Sequence, residues 1–289
     1  MRSCEKITIF FFLSLLFILF TNNLFAQSSD IEFIKVTDTI YEIVGGRGAR
    51  STLYLGETSV LLIDTKDDKK DMVIILNKIE KMSDKPLLIL INTHSDEDHI
   101  GGNIYIPKSV TIISHENCRK ELFIPLRDGR STGWEAPERK PFIPEVCFHD
   151  SMSIYLGSER IVLRHFGIGH TTGDTVVYFP EQKIAVVGDQ YSELPVPNIH
   201  DYKGGSPSGN YKNLERMLET LDATTFLSGH SEPVSRKEIL NCIDTMKERF
   251  NTMRARINAG ETFENITKGK KGRELNLITA IYNEVKSGK

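Results

Sequence analysis

The chain has 289 residues, of which 39% are hydrophobic and 26% charged, with a formal net charge of -3. That is an ordinary globular composition, long enough for one large domain or two small ones, and it can bury a full core. With acids slightly in excess and both signs well mixed, nothing in it suggests a nucleic-acid-binding surface.

The first segment reads MRSCEK, then an apolar run from Ile7 to Phe20, then TNNLFAQ, the basic, apolar and polar order of a secretory signal. Its apolar part falls short of the roughly 20 residues that a membrane-spanning helix needs. Residues 1–26 therefore read as a signal peptide cleaved after Ala26, leaving a mature domain of 27–289 in the periplasm or outside the cell with no stable membrane partner. Leu24, two residues before Ala26, is larger than a signal peptidase prefers, which keeps an uncleaved anchor as the alternative. Cys4 precedes the apolar run, where no lipid-attachment signal would place it. Cys118, Cys147 and Cys242 remain, with no CxxC pair among them, and read as small buried hydrophobes, a Cys118–Cys147 bridge being the alternative.

From Ile31 to Thr65 short β-rich runs (IEFIKV, TIYEIV, STLYL, SVLLIDT) alternate with glycine-bearing breaks, as antiparallel hairpins do. Asp67 to Met82 carries apolar residues at helical spacing, and Pro86 opens the strand LLILIN, which runs into THSDEDHIGG. The strand VTIIS follows, then a short helix near Glu116 to Leu122 and a polar, Arg- and Pro-rich stretch from Ile124 to Pro144, long enough to be functional or mobile. Next come the strands VCFHD, SMSIYL, RIVLRHF, DTVVYFP and KIAVVGD, a helix from about Tyr211 to Leu221, and the strand TTFLSGH. Ser235 to Lys289 reads as two helices around a turn at Asn258 to Gly260, and the chain has no internal repeat.

In His94-Ser95-Asp96-Glu97-Asp98-His99 the residues 94, 96 and 98 would project from one side of an extended segment, while His99 starts a turn and aims elsewhere. A bimetallic site needs such neighbours, because two cations about 3.5 to 4 Å apart must be reached from one strand end. Gly101 and Gly102 would let the backbone turn tightly beneath them. Alone, the hexapeptide reads equally well as a solvated acidic loop. Three further candidates each follow a β-rich run: His170 in GIGHTTGD, Asp189 in VVGDQ and His230 in LSGHSEP.

With these blocks in order, the sequence resembles the metallo-β-lactamase superfamily, whose members carry a T-H-x-H-x-D-H motif, a GH-T-x-G-D segment, a GD aspartate and a late GH. The resemblance runs from about Ile31 to the region of Arg236 and includes the opening from Gly45 to Thr65. It implies an α+β fold, a four-layer αββα sandwich with the metals between the two sheet edges. It further implies two divalent metal ions, the first held by His94, Asp96 and His170, the second by Asp98, His99 and His230, with Asp189 bridging. The departure is Asp96, where the family usually has histidine. A carboxylate adds negative charge and hardens the ligand set, which favours iron or manganese more than an all-nitrogen site would, although zinc, the first expectation, also accepts carboxylate oxygen.

The implied activity is hydrolysis by a metal-bound hydroxide of a small-molecule substrate, an ester, thioester, lactone or β-lactam-like amide. Asp98 would orient the hydroxide and Tyr191 would offer its hydroxyl to substrate. No GxSxG or Cys/His signature proposes a covalent nucleophile instead. Two alternatives stay open: a di-iron oxidoreductase of the flavodiiron type, which places a carboxylate at the position of Asp96 but normally brings a flavin-binding domain, and a non-catalytic metal-binding protein. Where carbapenem-hydrolysing members carry a cysteine ligand, this chain has Asp189.

Asp64 and Asp174 read as supports for loops. His115, His149, His165 and His200 match no motif and read as surface or internally satisfied histidines. The stretch GGSPSGNYKNLERM is expected to shape one wall of the site, and the basic cluster Lys268 to Arg273 to cap a solvated helix.

Overall fold

A computed structural model describes residues 30–193 and 197–288, so the signal segment lies outside the described residues. Strands β1 (Glu32–Lys35), β2 (Ile40–Val44), β3 (Ser51–Leu55), β4 (Val60–Ile63), β5 (Leu87–Ile91), β6 (Thr111–His115) and β7 (Val146–Phe148) form one sheet in chain order. Its first four strands pair antiparallel as hairpins, and β4 to β7 pair parallel. The second sheet has the order β13-β12-β11-β10-β9-β8 and is built from β8 (Ser151–Leu156), β9 (Glu159–Arg164), β10 (Val176–Phe179), β11 (Ile184–Gly188), β12 (Thr225–Ser228) and β13 (Val234–Ser235). Helices are α1 (Lys69–Met82), α2 (Glu97–Ile100), α3 (Glu116–Glu121), α4 (Pro207–Thr220), α5 (Arg236–Asn258), α6 (Phe263–Thr267) and α7 (Gly272–Lys286).

Strand periodicity separates the layers. In β4, Leu61 and Ile63 enter a core shared with Leu163, Val177, Phe179, Val186 and Leu227 of the other sheet, whereas Val60 and Leu62 enter a second core with Met72, Ile75 and Ile79 of α1. A third core packs Leu214 and Met217 of α4 and Ile239 and Ile243 of α5 onto Val176, Val187 and Phe226. Helix, sheet, sheet and helix thus stack in four layers, each fully buried aliphatic or aromatic side chain contributing about 1.5–3 kcal/mol.

Two details depart from the sequence reading. Helix α4 begins at Pro207, before Tyr211, because Ser206 accepts a hydrogen bond from the Gly209 amide at 3.0 Å and proline occupies the first turn, where its missing N–H costs nothing. The carboxy-terminal region holds three helices, since a short α6 stands between α5 and α7; Lys271 takes the N-cap position of α7, and Lys270 pairs with Glu274 at 2.6 Å. Cys118, Cys147 and Cys242 are all unbridged, Cys118 being buried.

The topology gathers one set of strand ends. Strands β9 and β11 run the same way, each antiparallel to β10, and β12 is parallel to β11. The segments that follow β9, β11 and β12 therefore emerge at one edge, opposite the end of β5 in the other sheet.

Candidate metal centre

After β5 the backbone bends through Thr93, His94 and Ser95, is extended at Asp96, with φ -78° and ψ 139°, and then enters α2. His94 therefore leaves a bend and Asp96 an extended position, not one continuous extended segment, and Asp98 and His99 stand on a helical turn. The expectation that residues 94, 96 and 98 share one side of a strand is corrected: the turn rotates Asp98 away and groups it with His99. Gly101 and Gly102 lie outside the positive-φ set. What position 102 needs is room, since a β-carbon there would overlap the Lys66 carbonyl.

The structure brings all seven metal candidates together in two groups. The ligand atoms of His94, Asp96, His170 and Asp189 lie within 4.8 Å of one another, as do those of Asp98, His99 and His230. Asp189 faces both groups, with His99 Nε2 3.2 Å from its Oδ1 and His230 Nε2 3.3 Å from its Oδ2. The rings of His94 and His99 have centroids 4.0 Å apart.

The hydrogen bonds behind the rings decide which atoms face inward. His99 donates from Nδ1 to Asp64 at 2.7 Å, and His170 from Nδ1 to the Asn198 carbonyl at 2.6 Å. Nδ1 of His94 lies 3.0 Å from the Thr93 hydroxyl, which itself donates to Asp64 at 2.6 Å. Nε2 of His94, Nε2 of His99 and Oδ1 of Asp189 are buried and make no hydrogen bond of normal geometry, the 3.2 Å approach of His99 to Asp189 included. Buried polar atoms are rarely left so, and imidazoles pinned through the opposite nitrogen are the usual arrangement around a cation. The donor set fits metal ions.

The electrostatics attract positive charge. Burial opposes charge on His170, yet the hydrogen bond and charge of Asp96 push its pKa up to about 9. Hydrogen bonds from its own ring to Asp189 and Asp98 likewise lift His230 to about 9. Burial works against ionisation of Asp189, but the charge of His99 and the hydrogen bond from His230 hold its carboxyl well below the usual range. His94 is lowered, first by burial and then by His99 beside it. A proton on an inward nitrogen occupies the position a cation would take.

Asp96 has surroundings that the motif did not announce. Its Oδ2 lies 2.6 Å from His200 Nε2 and 3.1 Å from His170 Nε2, and its Oδ1 lies 2.7 Å from Lys203 Nζ. Burial disfavours its charge, but Lys203 and the bonds from His170 and His200 outweigh burial and keep the carboxyl well below its ordinary value. His200, read as lacking a role, thus sits in the site. His200 and Lys203 bracket one 3-10 turn, Asp201–Lys203, and side chains three apart eclipse on such a turn. That spacing, beside the GGSPSG segment, was the signal available in the sequence.

Supporting residues tie the ligand loops together. Asp174 accepts from the amide of Thr171 at 3.0 Å and from its hydroxyl at 2.7 Å. Glu121, from α3, accepts from Ser95 Oγ at 2.5 Å and from the Thr172 amide at 2.7 Å, which joins the turn after His94 to the turn after His170.

Tyr191 does not join this constellation. Its ring belongs to the apolar cluster with Val187, Leu214 and Ile239, and it lines a separate cavity with Glu238 and Cys242 of α5. Burial, with Glu193, Cys242 and Glu238 nearby, pushes its hydroxyl up to about 12. The substrate-facing role expected for it is corrected on that ground. Tyr202 instead lines the cavity of about 440 Å³ beside Asp96 and Asp98, together with Leu122, Leu126, Trp134, His200 and Lys203.

The model of the metallo-beta-lactamase superfamily matches residues 44–230, more than half of the chain and the whole span of the seven side chains. The chain belongs to the metallo-beta-lactamase superfamily. Among curated members, it is 25% identical over 174 residues to the "Metallo-beta-lactamase type 2" of Elizabethkingia meningoseptica, a match spanning 57% of this chain and 65% of that protein. It is 26% identical over 196 residues to the "Metallo-beta-lactamase IND-1" of Chryseobacterium indologenes, spanning 66% of this chain and 76% of that protein. Among solved structures, a metallo-beta-lactamase from Pontibacter korlensis superposes with a TM-score of 0.63 at 18% identity, covering 75% of this chain and 99% of the other. At that identity the likeness establishes the superfamily fold alone.

Proposed function

We propose that this superfamily member is an exported metal-dependent hydrolase, acting on a small ester, thioester, lactone or β-lactam-like amide. The observation that carries the reading is the set of inward atoms that make no hydrogen bond: Nε2 of His94 and His99, whose rings are held from behind by Thr93 and Asp64, and Oδ1 of Asp189. Two divalent ions, zinc in the first place, would be held by His94, Asp96 and His170 and by Asp98, His99 and His230, with Asp189 shared. Bound there, they would acidify a water towards neutrality and polarise the oxygen of the bond under attack.

The remaining work falls to the chain itself. Asp98, its side chain 39% exposed at the cavity and bonded to His230 at 3.1 Å, orients the attacking water by accepting one of its hydrogens. Leu126 and Tyr202, backed by the buried Leu122 and Trp134, form an apolar wall suited to a compact hydrocarbon or aromatic group next to the scissile bond. The basic, apolar and polar order of residues 1–26 supports export to the periplasm or beyond.

Metal analysis of protein purified without added metal, coupled to a panel of chromogenic esters, thioesters, lactones and a cephalosporin, tests the reading. Two zinc ions and turnover of one class are expected. Two irons with an oxygen-sensitive visible spectrum and no hydrolysis would replace it with the di-iron oxidoreductase, and protein that takes up no cation at all would leave a non-catalytic role.

A further inference from the structure

Lys203 is a buried cation whose ion pair is with Asp96. Its Nζ donates to Asp96 Oδ1 at 2.7 Å, to Ser95 Oγ at 3.0 Å and to the Ser95 carbonyl at 3.3 Å, so each of the three ammonium hydrogens has a place. The side chain is 4% exposed. With its hydrogens committed and its surface covered, Lys203 is not arranged as a substrate contact, although its edge lines the cavity. It acts on Asp96.

The two oxygens of Asp96 are sorted by this contact. Lys203 takes Oδ1, while Oδ2 is turned toward the imidazoles of His94, His170 and His200, at 3.6, 3.1 and 2.6 Å. Resting on the metal-centre reading above, we propose that Lys203 is the counter-charge of Asp96. It is a positioning residue that cancels the carboxylate's negative charge and points Oδ2, not Oδ1, at the cation. His94 and His170 are neutral as ligands, and an Asp96–Lys203 pair sums to zero. Apart from Asp189, this half of the site therefore presents to a metal the formal charge of three imidazoles, although Asp96 stands at one of the three positions.

A pair of this kind has a signature that neither residue has alone. Asp96→His leaves a buried ammonium with no anion, facing a dication, and so weakens binding; removing the ammonium as well relieves the repulsion. The two changes must couple, because neighbours in one charge network are not additive.

The test is a double-mutant cycle in the metal-free mature protein, titrated with cobalt(II) and followed by the visible bands that report the ion's ligand geometry. The unsubstituted protein is expected to bind two cobalt ions. Asp96→His should weaken one of them by about tenfold or more, and Asp96→His with Lys203→Met should return it to within about threefold of the starting value. Lys203→Arg, which keeps the charge, should retain the original bands, whereas Lys203→Met alone should shift them. The same cycle run with Asp96→Asn, which preserves the shape of the side chain, reads the charge effect without the bulk of an imidazole. Thermal melts of each metal-free variant identify any that are misfolded.

If Asp96→His binds both ions as tightly as the parent, or if the effects of the two positions simply add in both cycles, Lys203 is not the counter-charge. Two bound cobalts with additive effects overturn this inference alone. A parent protein that binds no cobalt overturns the metal centre and this inference with it.

Discussion

Nδ1 of His99 lies 2.7 Å from Oδ2 of Asp64, on the side of the ring opposite the nitrogen that faces the metal groups. Asp64 follows β4 at φ 59°, a conformation uncommon outside glycine, and also accepts from the amide and the hydroxyl of Thr93, at 2.7 and 2.6 Å. One carboxylate therefore orients His99 directly and His94 through the Thr93 hydroxyl. Asp64→Asn keeps the shape and tolerates the left-handed backbone but loses the charge. Metal affinity is expected to fall about 10- to 100-fold, measured by competition with a chromophoric chelator. An unchanged affinity would show that packing alone holds the two rings.

The stretch from Ile124 to Pro144, which lines the cavity through Leu126 and Thr132, is clasped at both ends. Glu97 is bonded by Arg139 at 2.8 Å and by the Trp134 indole at 3.3 Å, and at the other end Arg127 pairs with Asp201 and lies 5.0 Å over the Tyr202 ring. Half-exposed ion pairs contribute about 0–1 kcal/mol each, so Arg127→Ala with Arg139→Ala should leave the melting temperature nearly unchanged. The loop would nevertheless loosen, raising KM several-fold with kcat little altered for whichever ester or amide is turned over. Trp134, 1% exposed in the core of the first sheet, differs in kind: Trp134→Ala should cost about 3–5 kcal/mol, read by chemical denaturation. An unaltered KM in the double arginine variant would remove the loop from substrate binding.

His115 offers a pH test away from the metals. Its ring stacks on His165 at 3.9 Å, donates from Nε2 to the His149 carbonyl at 2.7 Å, and accepts at Nδ1 from the Asn117 amide at 3.2 Å. Burial, then the neighbouring His165, push its pKa down to about 4 from 6.5. Between those values the native state binds fewer protons than the unfolded chain. The stability contributed by the neutral ring is therefore complete above pH 6.5 and is lost as pH falls toward 4. His115→Asn keeps an acceptor at the helix cap but does not titrate. Melting temperatures of the metal-free parent should fall more steeply than those of the variant across this window; parallel curves would mean the ring is not held neutral.

Much of the architecture was legible because strands and helices carry periods. The alternation in β4 and the helical spacing of Met72, Ile75 and Ile79 in α1 state which face is buried. The residues that converge at the candidate site were legible too, since histidines and aspartates stood just after β-rich runs. Direction was not. Asp98 and Tyr191 sit in or next to turns, where no repeat reveals which way a side chain points, and their assigned roles depended on direction. His200 and Lys203 escaped notice because their importance lies in contact with Asp96, 104 and 107 positions away in the chain.

Each ligand group borrows from both halves of the sandwich: His94 and Asp96 with His170 and Asp189 in one, Asp98 and His99 with His230 in the other. Cations bound there would work as a pair of rivets across the seam between the sheets, stabilising the native chain in proportion to the logarithm of metal supply. Starved of metal, such a molecule should first part along that seam, each sheet keeping its own helices, so its endurance would be set by its surroundings as much as by its cores.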